Sequence, residues 1–421
     1  MKYPVNEKLI QYIWQFQLFN KTELLTVASN TLSIIHPGTI NINQGPDFLN
    51  GKIVTENATW FGNIEIHVKS SDWDLHKHSE DERYNNVVLH VVWDHDKELN
   101  IPFPTLELKQ YVPKLLLDRY HSLQEQNQFI PCEKNIRKID SLSFEKWKET
   151  LVVERLQRKS IFIKTELLKT NHNWKLVFWY AVARAFGGNL NGDAFVEILK
   201  SIPFNSLLRQ HQSLLTVEAV LMGQAGFLND DFNDDYPKQL KIEHAHFKLK
   251  YELESPKISL LFLRMRPSNF PTIRLAHFAS FICKNANSIY EFIRLNNDSQ
   301  LGSYFDIETA EYWNSHFCFD EPSKFKIKKI GEIMQLNIII NAIATFQFAY
   351  GIIMEEEVFI QQAIETLINT STEKNKIIER FKVLGLKTKN AFDSQFLLEL
   401  KNQYCDNKKC LNCQIGASIL S

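Results

Sequence analysis

The chain reads as an α+β protein: an N-terminal α/β core, a mixed sheet flanked by helices, over residues 1–135, and a mainly α-helical domain over residues 136–421 that ends in a Cys-rich segment. Two patterns predict this. Asn63-Ile64-Glu65-Ile66-His67-Val68-Lys69 alternates apolar and polar side chains, the period of a strand, and Val87-Val88-Leu89-His90-Val91-Val92-Trp93-Asp94 is a continuous apolar run suited to a central strand. From Ser143 onward the apolar spacing turns helical.

In order, the periodicity predicts a helix over Asn6–Ala28, then strands near Leu32–Ile35, Gly51–Thr55, Thr59–Lys69 and Val87–Asp94. Ile101-Pro102-Phe103-Pro104 interrupts strand formation, Leu106-Glu107-Leu108 adds a short strand, and a helix follows over Pro113–Gln126. Later helices are expected at Phe144–Lys164, Trp174–Phe186, Gly192–Leu199, Ser206–Gly223, Ile273–Ala286, Ile333–Ile353 and Glu357–Leu367. Gly187-Gly188 and Gly223 to Gly226 read as helix ends, since neither has the preceding strand and following lysine of a phosphate loop.

Composition bounds the function. The 421 residues are 44% hydrophobic and 23% charged, as in an ordinary globular protein, and 30 Phe imply well-filled cores. A formal net charge of −1 excludes a global basic signature, so a nucleic-acid surface must be a local patch. Charges interrupt every apolar run near the N-terminus, which argues against a signal peptide and for a cytoplasmic location. Ile333 to Met354 lacks charged side chains and is long enough to span a bilayer, but Gln335, Asn337, Asn341 and Gln347 are costly in lipid. A helix buried in a protein core, its amides bonded to neighbouring helices, is expected, and no membrane partner.

The chemistry concentrates between Gly45 and His78. Ile64, Ile66 and Val68 would face a core, which sets Glu65, His67 and Lys69 on the opposite face. Acid, imidazole and amine are expensive to bury unless they pair or bind metal. Asp47, in Gly45-Pro46-Asp47, stands a hairpin away. Two carboxylates and a cation on adjacent strands are how a protein grips a divalent metal and a scissile phosphate. Each residue also has a bland reading: a Pro-Asp turn, an edge-strand Glu65–Lys69 ion pair, half-buried histidines.

At these residues the chain resembles the PD-(D/E)XK nuclease superfamily, whose members place an acid after a Pro-like turn and an acid and a lysine on the next strand, behind a helix that often carries a further acid. Pro46-Asp47 and Glu65 match, and Glu7 is the helix acid, with Glu23 a weaker candidate late in the same helix. Strict spacing puts the lysine where this chain has His67; its lysine is Lys69, so the identity of the motif cation stays open. The resemblance implies a restriction-endonuclease-like core and Mg²⁺- or Mn²⁺-dependent hydrolysis of DNA. Metal would sit on Asp47 and Glu65, with Lys69 or His67 at the attacking water and His76 and His78 near the leaving side. Ser71-Asp72-Trp73 with His76 and His78 is similar to mismatch-repair nucleases of the very-short-patch type. The whole block also looks like a family of bacterial proteins of unknown function. A catalytically inactive core that still binds nucleic acid or a partner is the alternative, and a zinc-stapled scaffold a third.

Arg264, Arg266 and Arg274 surround two prolines at the entrance to a helix and are candidate phosphate contacts, or else brace a rigid turn. Cys405, Cys410 and Cys413 have the spacing of ligands converging on one metal, and Cys132 is the natural fourth; Cys283 and Cys318 sit in apolar contexts typical of core thiols. Four thiolates mainly bind Zn²⁺. Some nucleases of the resembled superfamily instead clamp their core with a lone cysteine and a C-terminal triplet around a [4Fe–4S] cluster, though there the lone cysteine precedes the core and Cys132 follows it.

Overall fold

The computed structural model describes residues 5–56, 58–125, 128–136, 141–294 and 298–420. The chain divides into two compact units, Met1–Phe144 with Lys401–Ser421, and Glu145–Leu400. The C-terminal Cys-rich segment therefore packs with the N-terminal unit, not with the helical region that precedes it in sequence.

Helix α1 (Glu7–Gln15) starts where expected, with Asn6 Oδ1 accepting the Leu9 N–H at 2.9 Å. It ends far short of Ala28. Gln17 takes a left-handed φ of 53°, its N–H bonds Trp14 O, and the Leu18 N–H reaches back to Ile13 O. That is a Schellman stop built on glutamine instead of glycine, so composition does not announce it. Glu23 consequently lies outside any helix, exposed, with φ 56°, just before β1 (Leu24–Leu25).

The sheet adds β2 (Thr31–His36), β3 (Thr39–Ile40), β4 (Phe48–Thr55), β5 (Ala58–Lys69), β6 (Val87–Asp94) and β7 (Thr105–Glu107). Its order is β1-β2-β4-β5-β6-β7, with β3 also paired to β4. Pairing is antiparallel as far as β5 and parallel from β5 to β6 and from β6 to β7, so the sheet is mixed. The β5–β6 crossover holds the short helix α2 (Asp72–Leu75). Ile64 to His67 are buried without alternation, and β6 is buried along nearly its whole length, as expected of strands covered on both faces. Helices α1 and α2 pack against β5. Gly62 permits the close β5–β6 approach: a Cβ there would stand 2.4 Å from Asn86 O.

Helix α3 (Lys114–Glu125) follows, with Gln126 outside the described residues. The tail returns to α3, where the Lys408 side chain bonds Gln124 O and the Gln124 amide donates to Lys408 O.

Helix α4 (Ser141–Lys169) leads into the second unit. The two helices expected around Gly187-Gly188 form one element, α5 (Trp174–Lys200), bent at Gly188 (φ 63°, ψ −160°). Gly188 and Asn189 line a cavity of about 710 Å³ together with Arg158, Lys159, Arg184 and Asn341. The single helix expected over Ser206–Gly223 is instead α6 (Phe204–Leu208) and α7 (Leu214–Gln224), because the Ser213 side chain accepts the Thr216 N–H and starts a new helix. Helix α8 (Asp235–Tyr251) is not anticipated by the sequence reading. It buries Pro237, Leu240 and Phe247, too few apolar residues for a clear periodic signal. Helix α9 (Pro271–Asn285) begins two residues before Ile273.

Glu332–Met354 is the helix, among the described residues, with the length and composition to cross a membrane, and 72% of its apolar window is buried within the protein. Its amides are used internally: Asn337 donates to Ala185 O at 2.6 Å, and Gln347 donates to Phe292 O and accepts from Thr366. These are the cross-helix bonds expected of a buried helix.

Candidate metal centre

Backbone geometry delivers Asp47. Gly45 adopts φ 108°, and the loop is tied down by Asn41, whose side chain donates to Pro46 O (2.9 Å) and whose N–H donates to Asp47 O (2.7 Å). Between Gly51↔Gly62 and Phe48↔Ile64 the β4–β5 register shifts by one residue, with Asn50 at φ 60°. Continued without that bulge, the register would set Asp47 opposite Ile66; with it, Asp47 comes opposite Glu65.

The two acids are then locked together. Asp47 N–H donates to Glu65 Oε2 (3.0 Å), and Ile66 N–H donates to Asp47 Oδ2 (3.1 Å). Gln11, one turn beyond Glu7 on α1, divides its amide between Asp47 Oδ1 (2.9 Å) and Glu7 Oε1 (3.2 Å). Burial pushes the Asp47 carboxyl up, Gln11 and Ile66 pull it back, and Glu7 adds repulsion. Glu65 is pushed further, by burial first and the Asp47 charge second. Glu7 is raised by burial, with His76 opposing. This is an acid cluster short of positive charge.

Four histidines complete the site. His67, 1% exposed, faces His90 through Nδ1 (2.8 Å). Its Nε2 faces His76 Nδ1 (3.2 Å), His78 Nε2 (3.3 Å) and Glu65 Oε1 (3.5 Å), and His78 Nε2 lies 3.4 Å from the same oxygen. Ligand atoms of His67, His76 and His78 all lie within 4.8 Å of one another. Burial, reinforced by the neighbouring imidazoles, lowers His67 to about 2 and His78 to about 4. His90 falls to about 3, again mainly through burial. The Glu65 contacts with His67 and His78 are therefore between uncharged imidazoles and a carboxyl group, not ion pairs.

The loop after β5 is braced by Trp73, whose Nε1 donates to Ser79 Oγ (2.9 Å) and whose ring packs on His78 and His90. Tyr84 stacks on His78 at 3.9 Å. His67 and His78 are buried and His76 is exposed, so the centre opens to solvent on the His76 side.

Of the residues singled out from sequence, Glu7, Asp47, Glu65, His67, His76 and His78 come together. Lys69 does not join them: its side chain is 57% exposed and its Nζ lies 3.9 Å from Asp96. Gln11 and His90 belong to the site but were not singled out as functional residues; the i, i+4 spacing of Gln11 from Glu7 was the available signal. Arg264 and Arg266 are exposed in the second unit, and Arg274, lowered to about 10 by burial, donates to Asn269 Oδ1 (2.8 Å) inside its own turn.

The cysteines gather in the first unit. Cys132, Cys410 and Cys413 are buried and Cys405 partly so. Burial raises Cys132 to about 12, with Cys413 and Cys410 adding to it, and raises Cys405, with Cys132, Cys413 and Cys410 adding. The tail packs closely here: a Cβ on Gly416 would stand 2.0 Å from Cys410 O. Cys283 and Cys318 lie apart, in the second unit.

Fold and site thus define an α+β protein with a mixed-sheet unit, an acid–histidine centre and a separate helical unit. A family model described as "Protein of unknown function (DUF2851)" matches residues 7–376, and the chain belongs to that family. The match takes in every acid and histidine of the centre, and Cys132, and stops before Cys405. No curated protein and no solved structure matches the chain.

Proposed function

We propose that the first unit is a metal-dependent nuclease of PD-(D/E)XK type, hydrolysing DNA phosphodiester bonds. The observation that carries this reading is the Asp47–Glu65 pair: a bulge sets a half-buried and a buried carboxyl group side by side with Glu7 adjacent, on the turn and strand where the resemblance requires them. The mixed sheet, with α1 packed on β5, is consistent with such a core.

The donor set suits a divalent cation. Three of the four oxygens of Asp47 and Glu65 accept one protein hydrogen bond each, which leaves lone pairs for an ion. The imidazoles facing Glu65 favour Mn²⁺ over Mg²⁺. When bound, the ion supplies Lewis-acid stabilisation of charge on the phosphoryl oxygens. Water attacks phosphorus in line, a P–O bond forms, the ester P–O bond breaks, and the leaving oxygen takes a proton. Asp47 and Glu65 would hold the ion, and Glu7, the outer acid, accepts the proton of the attacking water. His76, at the open side, would lie near the leaving oxygen, which takes its proton from solvent. Arg264 and Arg266 are proposed as separate phosphate contacts of the helical unit.

In the same reading Cys132, Cys405, Cys410 and Cys413 hold a structural Zn²⁺ or [4Fe–4S] cluster. Buried thiols that raise one another's pKa are a site whose electrostatics a bound cation reverses.

One observation favours a second reading, a core that binds nucleic acid without cutting it: Lys69, the motif lysine, points away from the acids. Cleavage of a mixed DNA panel with Mn²⁺ separates the two. Asp47→Ala and Glu65→Ala should abolish cutting with the melting temperature unlowered. Wild-type protein that binds the panel and cuts nothing establishes the second reading.

A further inference from the structure

We infer that His67, His76 and His78, with Glu65 Oε1, form a nitrogen-rich site for a borderline divalent transition metal of the Zn²⁺ class, distinct from the hard, oxygen-bound Mg²⁺ of the nuclease resemblance. The geometry comes first. Contacts among these ligand atoms run from 3.2 to 3.5 Å: His67–His76 3.2, His67–His78 3.3, His78–Glu65 3.4 and His67–Glu65 3.5 Å. A tetrahedral centre with bonds of about 2.0–2.1 Å has ligand–ligand edges of about 3.3–3.4 Å. The four contacts are longer than the 2.8 Å between His67 Nδ1 and His90 Nε2 in the same cluster.

The two sides of the His67 ring thus differ in kind. Its Nδ1 lies 2.8 Å from His90 Nε2, the kind of outer partner that orients a ligating histidine, and a His67 that donates there presents its Nε2 lone pair inward. Glu65 is split likewise: Oε2 takes the Asp47 N–H, while Oε1 turns to the imidazoles. The ligands are held before any ion arrives. His78 is stacked on Tyr84 and edged by Trp73, and Trp73 is pinned to Ser79. His76, exposed, closes the set from the solvent side and marks the entry path.

Imidazole donors select Zn²⁺, Fe²⁺ or Co²⁺ over Mg²⁺. The inference shares Glu65 with the nuclease reading but does not depend on DNA cleavage.

The test uses the full-length chain, stripped by a chelator and reloaded with Zn²⁺ or Co²⁺. Wild type should take up about one equivalent more Zn²⁺ than His76→Ala. Its Co²⁺ form should show visible ligand-field bands that His76→Ala and His78→Ala lack, while cobalt–thiolate charge-transfer bands from the cysteines persist in all three. Millimolar Mg²⁺ should not displace the ion. His76 is exposed, so its variant folds even where His78→Ala does not. Equal Zn²⁺ uptake by wild type and His76→Ala, or displacement by Mg²⁺, overturns the inference. Zinc uptake as expected with no cleavage of DNA keeps the inference and sinks the nuclease reading; equal Zn²⁺ uptake by wild type and His76→Ala, with Mn²⁺-dependent cleavage by wild type that Asp47→Ala abolishes, does the reverse.

Discussion

The Asp47 backbone N–H donates to Glu65 Oε2 at 3.0 Å, so the main chain of one acid holds the carboxyl group of the other. Side-chain repulsion alone would drive the two carboxyl groups apart. Here the bulge at Asn50 and the Ile66 N–H keep them adjacent. A cation bound there would relieve that repulsion without reorganising the acids, which the main chain already holds in place.

Lys69 and His67 compete for the position of the motif lysine, and their surroundings separate them. Lys69 is 57% exposed beside Asp96, whereas His67 lies against Glu65, His76, His78 and His90. Lys69→Ala should keep cleavage within about threefold of wild type, since an exposed ion pair contributes little. His67→Ala should lose both metal and cleavage. A Lys69→Ala protein that binds metal normally yet cuts a hundredfold more slowly would restore the lysine to the mechanism.

Gln11 ties α1 to the acids by giving one amide to Glu7 and Asp47. Gln11→Ala should cost about 1 kcal/mol of stability, the worth of a typical hydrogen bond, and lower kcat more than it raises KM. Gln11→Glu should be worse without metal, because it adds a further carboxylate to an uncompensated cluster, and should recover part of its Tm when Mn²⁺ is added. No difference between the Ala and Glu variants in metal-free melts would show that the acids do not feel one another.

Residue patterning revealed β5, β6 and the placement of Asp47 and Glu65, because a period of two and a Gly-Pro-Asp turn are local signals. The end of α1 was hidden, since Gln17 occupies a left-handed position that glycine usually marks. The histidine centre was hidden too. His76 and His78 reach His67 only because the loop after β5 folds back on Trp73, a tertiary event with no periodic signature. Lys69 misled for the opposite reason: strand parity put it on the face of Glu65 and His67, but at the strand end its long side chain turns to solvent.

Lys401–Ser421 belongs to the N-terminal unit, so losing a metal bound by its cysteines and Cys132 should loosen that unit specifically. Anaerobically purified protein should contain zinc, or show the brown colour of an iron–sulfur cluster. Cys410→Ser, Cys413→Ser and Cys132→Ser should each lose this metal and raise amide exchange in the tail and in α3, where Lys408 and Gln124 now bond. Cys283→Ser should keep the metal. A Cys132→Ser protein with full metal content would require a different fourth ligand.

Glu218, fully buried in α7, offers a pH test independent of the metal centre. Its Oε1 accepts the Trp313 indole N–H at 2.6 Å, yet burial outweighs that bond and raises the carboxyl from 4.5 to about 7. The folded state therefore binds this proton more tightly than the unfolded chain. The stabilisation is fully present below the unfolded value near 4.5 and is lost as pH rises through about 7. The loss is on the order of 3 kcal/mol. Glu218→Gln keeps an acceptor for Trp313 and removes the titration. Between about pH 5 and 8, wild type should lose stability relative to Glu218→Gln, with the two most alike at the acid end. Parallel curves across that range would show that Glu218 titrates as an ordinary carboxyl group, and that its burial is offset by water or by a partner beyond Trp313.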